Sequence, residues 1–153
     1  MGFVIDEEIE VKAPAEVVWE VISDLPRYKE WNPFCLEASS TLKPGDPIRM
    51  KVNLTGKPQD VEEVIREVVP GRRFAYSMKP MMNTALTSLR SHDVASRGAA
   101  AASYRSHFEL NGWMRHVVLA LFKAKLENGF SAMTRAVGQR AERLWAERQS
   151  GKR

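Results

Sequence analysis

From Phe3 to Lys12 apolar and polar residues alternate, with Phe3, Ile5, Ile9 and Val11 on one face and Asp6, Glu8, Glu10 and Lys12 on the other. A period of two predicts a half-buried strand. Glu7 breaks the pattern, being acidic on the apolar face. Ala13-Pro14 ends the strand, and Ala15 to Asp24 reads as a short helix with Val18, Val21 and Ile22 at core spacing, closed by Leu25-Pro26. The stretch Arg27 to Phe34, carrying Tyr28, Trp31 and Asn32-Pro33, predicts a second short helix or turn with aromatic anchors.

The period then returns to two. Strands are predicted over Cys35 to Leu42, Ile48 to Leu54, Val61 to Val69, Arg72 to Met78, Leu86 to Val94 and Ala99 to Leu110. Between them lies turn chemistry: Lys43-Pro44-Gly45-Asp46, Thr55-Gly56-Lys57-Pro58, Pro70-Gly71 and Ser96-Arg97-Gly98. Such short connections imply an antiparallel meander. From Trp113 to about Ser150 the spacing is helical, with Asn111 as the expected cap and Phe130, Met133, Val137, Ala141, Leu144 and Trp145 on one stripe. A straight helix of that length would run about 57 Å, longer than the diameter of about 40 Å expected for a domain this size, so a bend is expected at Gly129.

The chain of 153 residues is 44% hydrophobic and 27% charged, which suits one domain spanning residues 1–153. Cys35 is the only cysteine, which excludes an internal disulfide and a thiolate metal cluster and points to the cytoplasm. No export or lipidation signal is legible at the N-terminus. The longest apolar run, Val117 to Phe122, is far short of the roughly 20 residues that cross a bilayer, so no membrane span is expected. The net charge of +4 is unevenly spread: residues up to 70 carry 14 acidic and 8 basic side chains, the remainder 5 and 15. On the long helix the cations are interspersed with Glu127, Glu142 and Glu147, which fits a solvated face better than a stripe that follows phosphates, and no nucleic-acid partner is expected. Nucleotide, hydrolase and zinc motifs are absent, leaving no cofactor or metal to expect.

The order of one strand, two short helices, an antiparallel run and a long C-terminal helix is an α+β helix-grip layout. The segment "APAEVVWEVISDLPRYKEWNPF" resembles the opening of the START-like, or SRPBCC, superfamily, especially its polyketide cyclase/dehydrase-like branch. The later "SYRSHFELNG" and "GFSAMTRAVGQRAERLW" resemble the last strand and closing helix of the same proteins. The resemblance implies a curved antiparallel sheet wrapped around the long helix, as in birch-pollen-allergen-like proteins, with a cavity for an apolar small molecule between them.

In this sequence the candidate cavity residues are Met50, Val52, Phe74, Tyr76, Met78, Tyr104 and Phe108 from the strands and Phe130, Met133 and Val137 from the helix; the plain alternative is that they fill a core. Trp31 and Phe34 either border the cavity mouth or staple the short helices to the sheet. Glu7, acidic on an apolar face, is a candidate general acid or base, or else pairs with a basic side chain or water. Arg90 and His92 share one face of their strand and Ser91 and Asp93 the other. If Arg90 and His92 point inward, His92 suits proton transfer and Arg90 suits a carboxylate or phenolate; otherwise both lie on a solvated face.

Three functions follow: binding of a hydrophobic or aromatic, lipid- or polyketide-like molecule; aldol cyclisation and dehydration of a polyketide, with Glu7 or His92 moving the proton; and a chaperone-regulator type of interaction module that uses the charge asymmetry to dock. The oligomeric state has no sequence signature.

Overall fold

In the computed structural model, which describes residues 2–151, β1 (Phe3–Val11) keeps its alternation. Phe3, Ile5, Glu7 and Ile9 are half-buried while Val4, Asp6, Glu8 and Glu10 are exposed. Pro14 precedes α1 (Ala15–Ser23), where its missing N–H costs no helical bond, and Val17, Val18, Val21 and Ile22 are buried. A 3₁₀ turn (Leu25–Arg27) leads into the single turn of α2 (Tyr28–Trp31). The buried Tyr28 hydroxyl donates to the Ile22 carbonyl and locks this corner.

Six strands follow: β2 (Cys35–Ser40), β3 (Pro47–Val52), β4 (Gln59–Val69), β5 (Arg73–Ser77), β6 (Thr87–Gly98) and β7 (Ala101–Asn111). Every neighbouring pair is antiparallel, and the order β1-β7-β6-β5-β4-β3-β2 is a meander that β1 joins through β7. A bulge between Ile65 and Glu67 bends β4, which increases the local twist of the sheet. The long helix α3 (Arg115–Ser150) packs on the concave face, burying Leu126, Phe130, Met133, Thr134, Val137, Gly138 and Ala141. This is the helix-grip fold.

Two expectations about the helix are corrected. Asn111 is the last residue of β7 rather than a cap; the chain turns at Gly112, whose positive φ of 94° and proximity to the Ala85 carbonyl suit glycine alone. The helix is also continuous through Gly129. The inner side of its first turns, Val118, Leu119 and Phe122, packs against the core, while His116, Val117, Ala120, Leu121 and residues 123–125 are exposed.

The glycines of α3 serve close approach instead. A Cβ on Gly129 would come within 2.5 Å of Phe34 Cδ1, whereas one on Gly138 would crowd the flexible tip of Ile9 at 2.9 Å and touch Val11 at an ordinary 3.7 Å. Alanine gains about 1 kcal/mol over glycine inside a helix, and overpacking a tight contact costs about 1–3 kcal/mol. Gly129→Ala is therefore expected to lower stability by about 1 kcal/mol, and Gly138→Ala to leave it unchanged or raise it, as measured by urea denaturation midpoints.

Candidate functional site

Between the concave sheet and α3 lies a cavity of about 200 Å³. Phe34, Met50, Val52, Tyr76, Met78, Arg90, Phe108, Phe130 and Met133 line it, all of them residues singled out from the sequence. Cys35, Leu54, Val61, Glu63, Ser88, Leu110, Val118 and Leu126 complete the wall. Strand pairing explains the grouping. Ala38 faces Met50, Met50 faces Val61, and Tyr76 faces Arg90, which faces Phe108, so rows of inward side chains run across the sheet.

Arg90 is the polar centre of this apolar wall. It is 3% exposed, and it reaches no carboxylate among the described residues. Its Nη1 donates to Ser106 Oγ at 2.6 Å and to the His107 carbonyl at 3.3 Å, and its Nη2 lies 3.7 Å from the Met133 sulfur. The guanidinium carbon sits 4.8 Å from the centroid of Phe130, a cation–π contact. Nε has no hydrogen-bond partner. A buried cation held only by neutral groups keeps much of its field for an incoming anion or oxygen dipole.

Glu63, two strands away on β4, is the acidic residue of the wall. Burial pushes its carboxyl up to about 7, against the opposing pull of Arg90. Burial likewise raises the Cys35 thiol to about 12, which keeps it protonated and unreactive at neutral pH. The Tyr76 hydroxyl is raised far above the ordinary phenol range for the same reason.

The remaining candidates lie elsewhere, and each displacement has a packing cause. His92 shares the concave face with Arg90 but is fully buried in an aromatic stack, its ring 4.5 Å from Phe74 and 5.9 Å from Tyr104. Its Nδ1 and the Tyr104 hydroxyl are 2.6 Å apart. Burial, reinforced by Arg90, pushes its pKa well below the usual imidazole range, so it is neutral. Trp19 of α1 meets Phe74 edge-on at 6.0 Å, closing this end of the concave face. His92, Phe74 and Tyr104 are thus solid core and not cavity wall, and Val137 is fully buried in the same manner. Glu7 is half-buried beneath α3, where Ser131 Oγ donates to its carboxylate oxygens at 3.3 and 3.4 Å; it does not reach the cavity. Trp31 packs edge-on against Tyr28, 5.1 Å away, and borders a surface recess with Arg140 and Arg148.

Of the residues that sequence reasoning passed over, Glu63 carried a signal. Glu63 has the phase of Val61 and Ile65, which marks it as inward by the same rule that drew attention to Glu7. A wider depression of about 640 Å³ borders β2, β3 and β4, lined by Lys29, Glu37, Arg49, Lys51, Asp60 and Glu62. Several of these charges pair with one another in water, Arg49 with Glu62 and Lys51 with Glu37, which leaves little field for a ligand. Among the described residues no three His, Cys, Asp or Glu side chains converge as a metal-ligand set, and no helix is long and apolar enough to cross a membrane.

The fold recurs among solved structures of low sequence identity. The Zhui aromatase/cyclase from Streptomyces sp. R1128 superposes with a TM-score of 0.76 at 18% identity, over 94% of this chain and 95% of its own. A START superfamily protein from Mycobacterium smegmatis gives 0.71 at 14% identity, over 92% and 98%. Norcoclaurine synthase from Thalictrum flavum, in complex with a transition-state analogue, gives 0.66 at 18%, over 92% and 94%. No curated protein matches the sequence significantly. Residues 3–138 do match a family described as polyketide cyclase/dehydrase and lipid transport, and with most of the chain inside that match the protein belongs to this family.

Proposed function

We propose that the protein binds a small aromatic or apolar molecule carrying an acidic or carbonyl oxygen, with that oxygen on Arg90 and the apolar body between the sheet and α3. The observation that carries this reading is the buried guanidinium without a carboxylate partner in an otherwise apolar wall. Size narrows the class. An engineered protein cavity of about 150 Å³ holds benzene, so about 200 Å³ suits a single substituted ring rather than an extended lipid or polyketide chain.

A second reading, cyclase-type chemistry, is favoured by one specific observation: Glu63 titrates near neutrality in the same cavity as Arg90. In an aldol condensation the Glu63 carboxylate takes the proton alpha to a carbonyl, and Arg90 holds the enolate oxygen. The enolate carbon then attacks a second carbonyl, whose oxygen takes that proton back from Glu63 and becomes a hydroxyl. For dehydration the Glu63 carboxylate removes the remaining alpha proton and delivers it to the departing hydroxyl, which leaves as water. Fold resemblance to an aromatase/cyclase and to norcoclaurine synthase is compatible with either reading.

Native mass spectrometry of the purified protein is expected to show a bound small molecule. In thermal-shift assays an arylcarboxylate should stabilise the protein by about 2.7 kcal/mol at a hundred times its Kd, and its methyl ester much less. Arg90→Met fills a similar volume without charge. It should leave the unliganded protein at least as stable and abolish the preference for the acid over the ester. Equal stabilisation by both ligands in the unmodified protein would count against Arg90 as the anchor.

Glu63 makes a separate prediction. The folded protein retains its proton between the ordinary carboxyl value of 4.5 and about 7, whereas the unfolded chain has released it. Stability should therefore fall as pH rises across that window, by at most about 3 kcal/mol from this group. Glu63→Gln should remove that part of the fall, as read from urea midpoints at successive pH values. If the cyclase reading holds, Glu63→Gln should also abolish conversion of a small 1,5-diketone to its cyclohexenone while leaving arylcarboxylate binding intact.

A further inference from the structure

The apolar run Val117 to Phe122 has no assigned role in the cavity alone. Val118 and Leu126 of this part of α3 face the cavity, and Leu119 and Phe122 pack against the core. The opposite side is also apolar. At about 100° per residue, Val117, Ala120, Leu121 and Ala124 share one outward stripe, with Lys123 on one flank and Lys125 on the other. Val117 is 51% exposed and Leu121 66%. Trp113, just before the helix, is 63% exposed. A turn containing Met81 and Met82, which are 44% and 68% exposed, is tied to the helix start where the Met114 N–H donates to the Ala85 carbonyl at 3.0 Å.

A helix segment that is apolar on all sides requires cover on its outer side. Its electrostatics select the cover. No acidic residue occurs between Glu109 and Glu127 or between Glu67 and Asp93, whereas Lys79, Arg115, Lys123 and Lys125 lie in those stretches. A second copy related by a two-fold axis would bring these cations against themselves with no carboxylate between them. An anionic lipid surface takes both features: the apolar stripe enters the headgroup–acyl boundary, the lysines stay at phosphate level, and Trp113 sits at the interface.

We propose that the first three turns of α3, with Trp113 and the Met81–Met82 turn, form a surface that docks on anionic membranes with the helix lying in the interfacial plane. The segment that touches lipid is also a wall of the cavity, through Val118 and Leu126. Docking thus brings that wall to a phase in which apolar ligands concentrate. The inference rests on the outer face of α3 and does not depend on which ligand the cavity takes.

Co-sedimentation with vesicles tests it. The protein should bind vesicles of mixed phosphatidylcholine and phosphatidylserine at low salt and bind pure phosphatidylcholine much more weakly. A blue shift in tryptophan fluorescence should accompany binding and be lost in Trp113→Phe. Leu121→Glu, at an exposed position that leaves the fold intact by circular dichroism, should lower vesicle affinity at least about tenfold, and Lys123→Glu with Lys125→Glu should do the same. Absence of binding to either vesicle, or binding unchanged by Leu121→Glu, would overturn the proposal. So would a concentration-dependent dimer in analytical ultracentrifugation that Leu121→Glu dissociates, because a second copy would then be the cover.

Discussion

The place where α3 crosses the sheet is set by Phe130. Its ring stacks on Phe108 at 4.6 Å, meets Phe34 at 5.0 Å and lies beneath the Arg90 guanidinium. One side chain therefore joins the helix, the last strand, the loop before β2 and the buried cation. Without a ring there, Arg90 would lose its one broad neutral partner and the helix its register on β7. Gly129 permits this arrangement, because any larger residue beside Phe130 would displace Phe34. The cavity is the space left on one side of this junction, and the solid core around His92 fills the other.

The charge asymmetry between the halves of the chain is spent largely inside the molecule. Arg148 pairs with Glu20 and Arg140 with Glu30, tying the end of α3 to α1 and α2. Arg105 pairs with Asp6 across the β1–β7 ladder, and Arg97 of β6 reaches over β7 to Glu8 of β1. Arg105 holds the Asp6 carboxyl below its usual range, and Arg148 does the same for Glu20. Such exposed pairs are individually worth less than about 1 kcal/mol, so their effect is to select which faces meet rather than to hold the fold together. The basic residues near the start of α3 face no acidic element of the first half in this way, which sets that end of the helix apart from the rest.

Carboxylates on inward phases show how far periodicity reaches. Glu7 and Glu63 each interrupt an apolar row, and the two are indistinguishable by pattern alone. In the folded protein Glu7 lies under the body of α3 and finds Ser131, while Glu63 sits where the helix stands off the sheet. His92 and Arg90 likewise share one face and differ only in what lies over them. Trp19 and Phe74 close the space above the histidine, whereas the arginine, packed against Phe130 and Met133, still borders the cavity. Trp31 lacked even this much signal, because a single helical turn has no periodicity to orient it.

Alternation of side chains, turn residues and helical spacing are local properties, written in contiguous residues, and they determined the strands, the meander, the closing helix and the inward phase of most cavity residues. They stop at the face of an element. Whether an inward side chain meets another side chain or empty space depends on the distance between α3 and each strand, and that distance is the sum of packing contacts remote in sequence: Phe130 on Phe108, Gly129 against Phe34, Trp19 on Phe74. Tertiary structure alone therefore decided that Glu63 rather than Glu7 shares the cavity with Arg90, and that the apolar run of α3 has one face turned inward and one left uncovered.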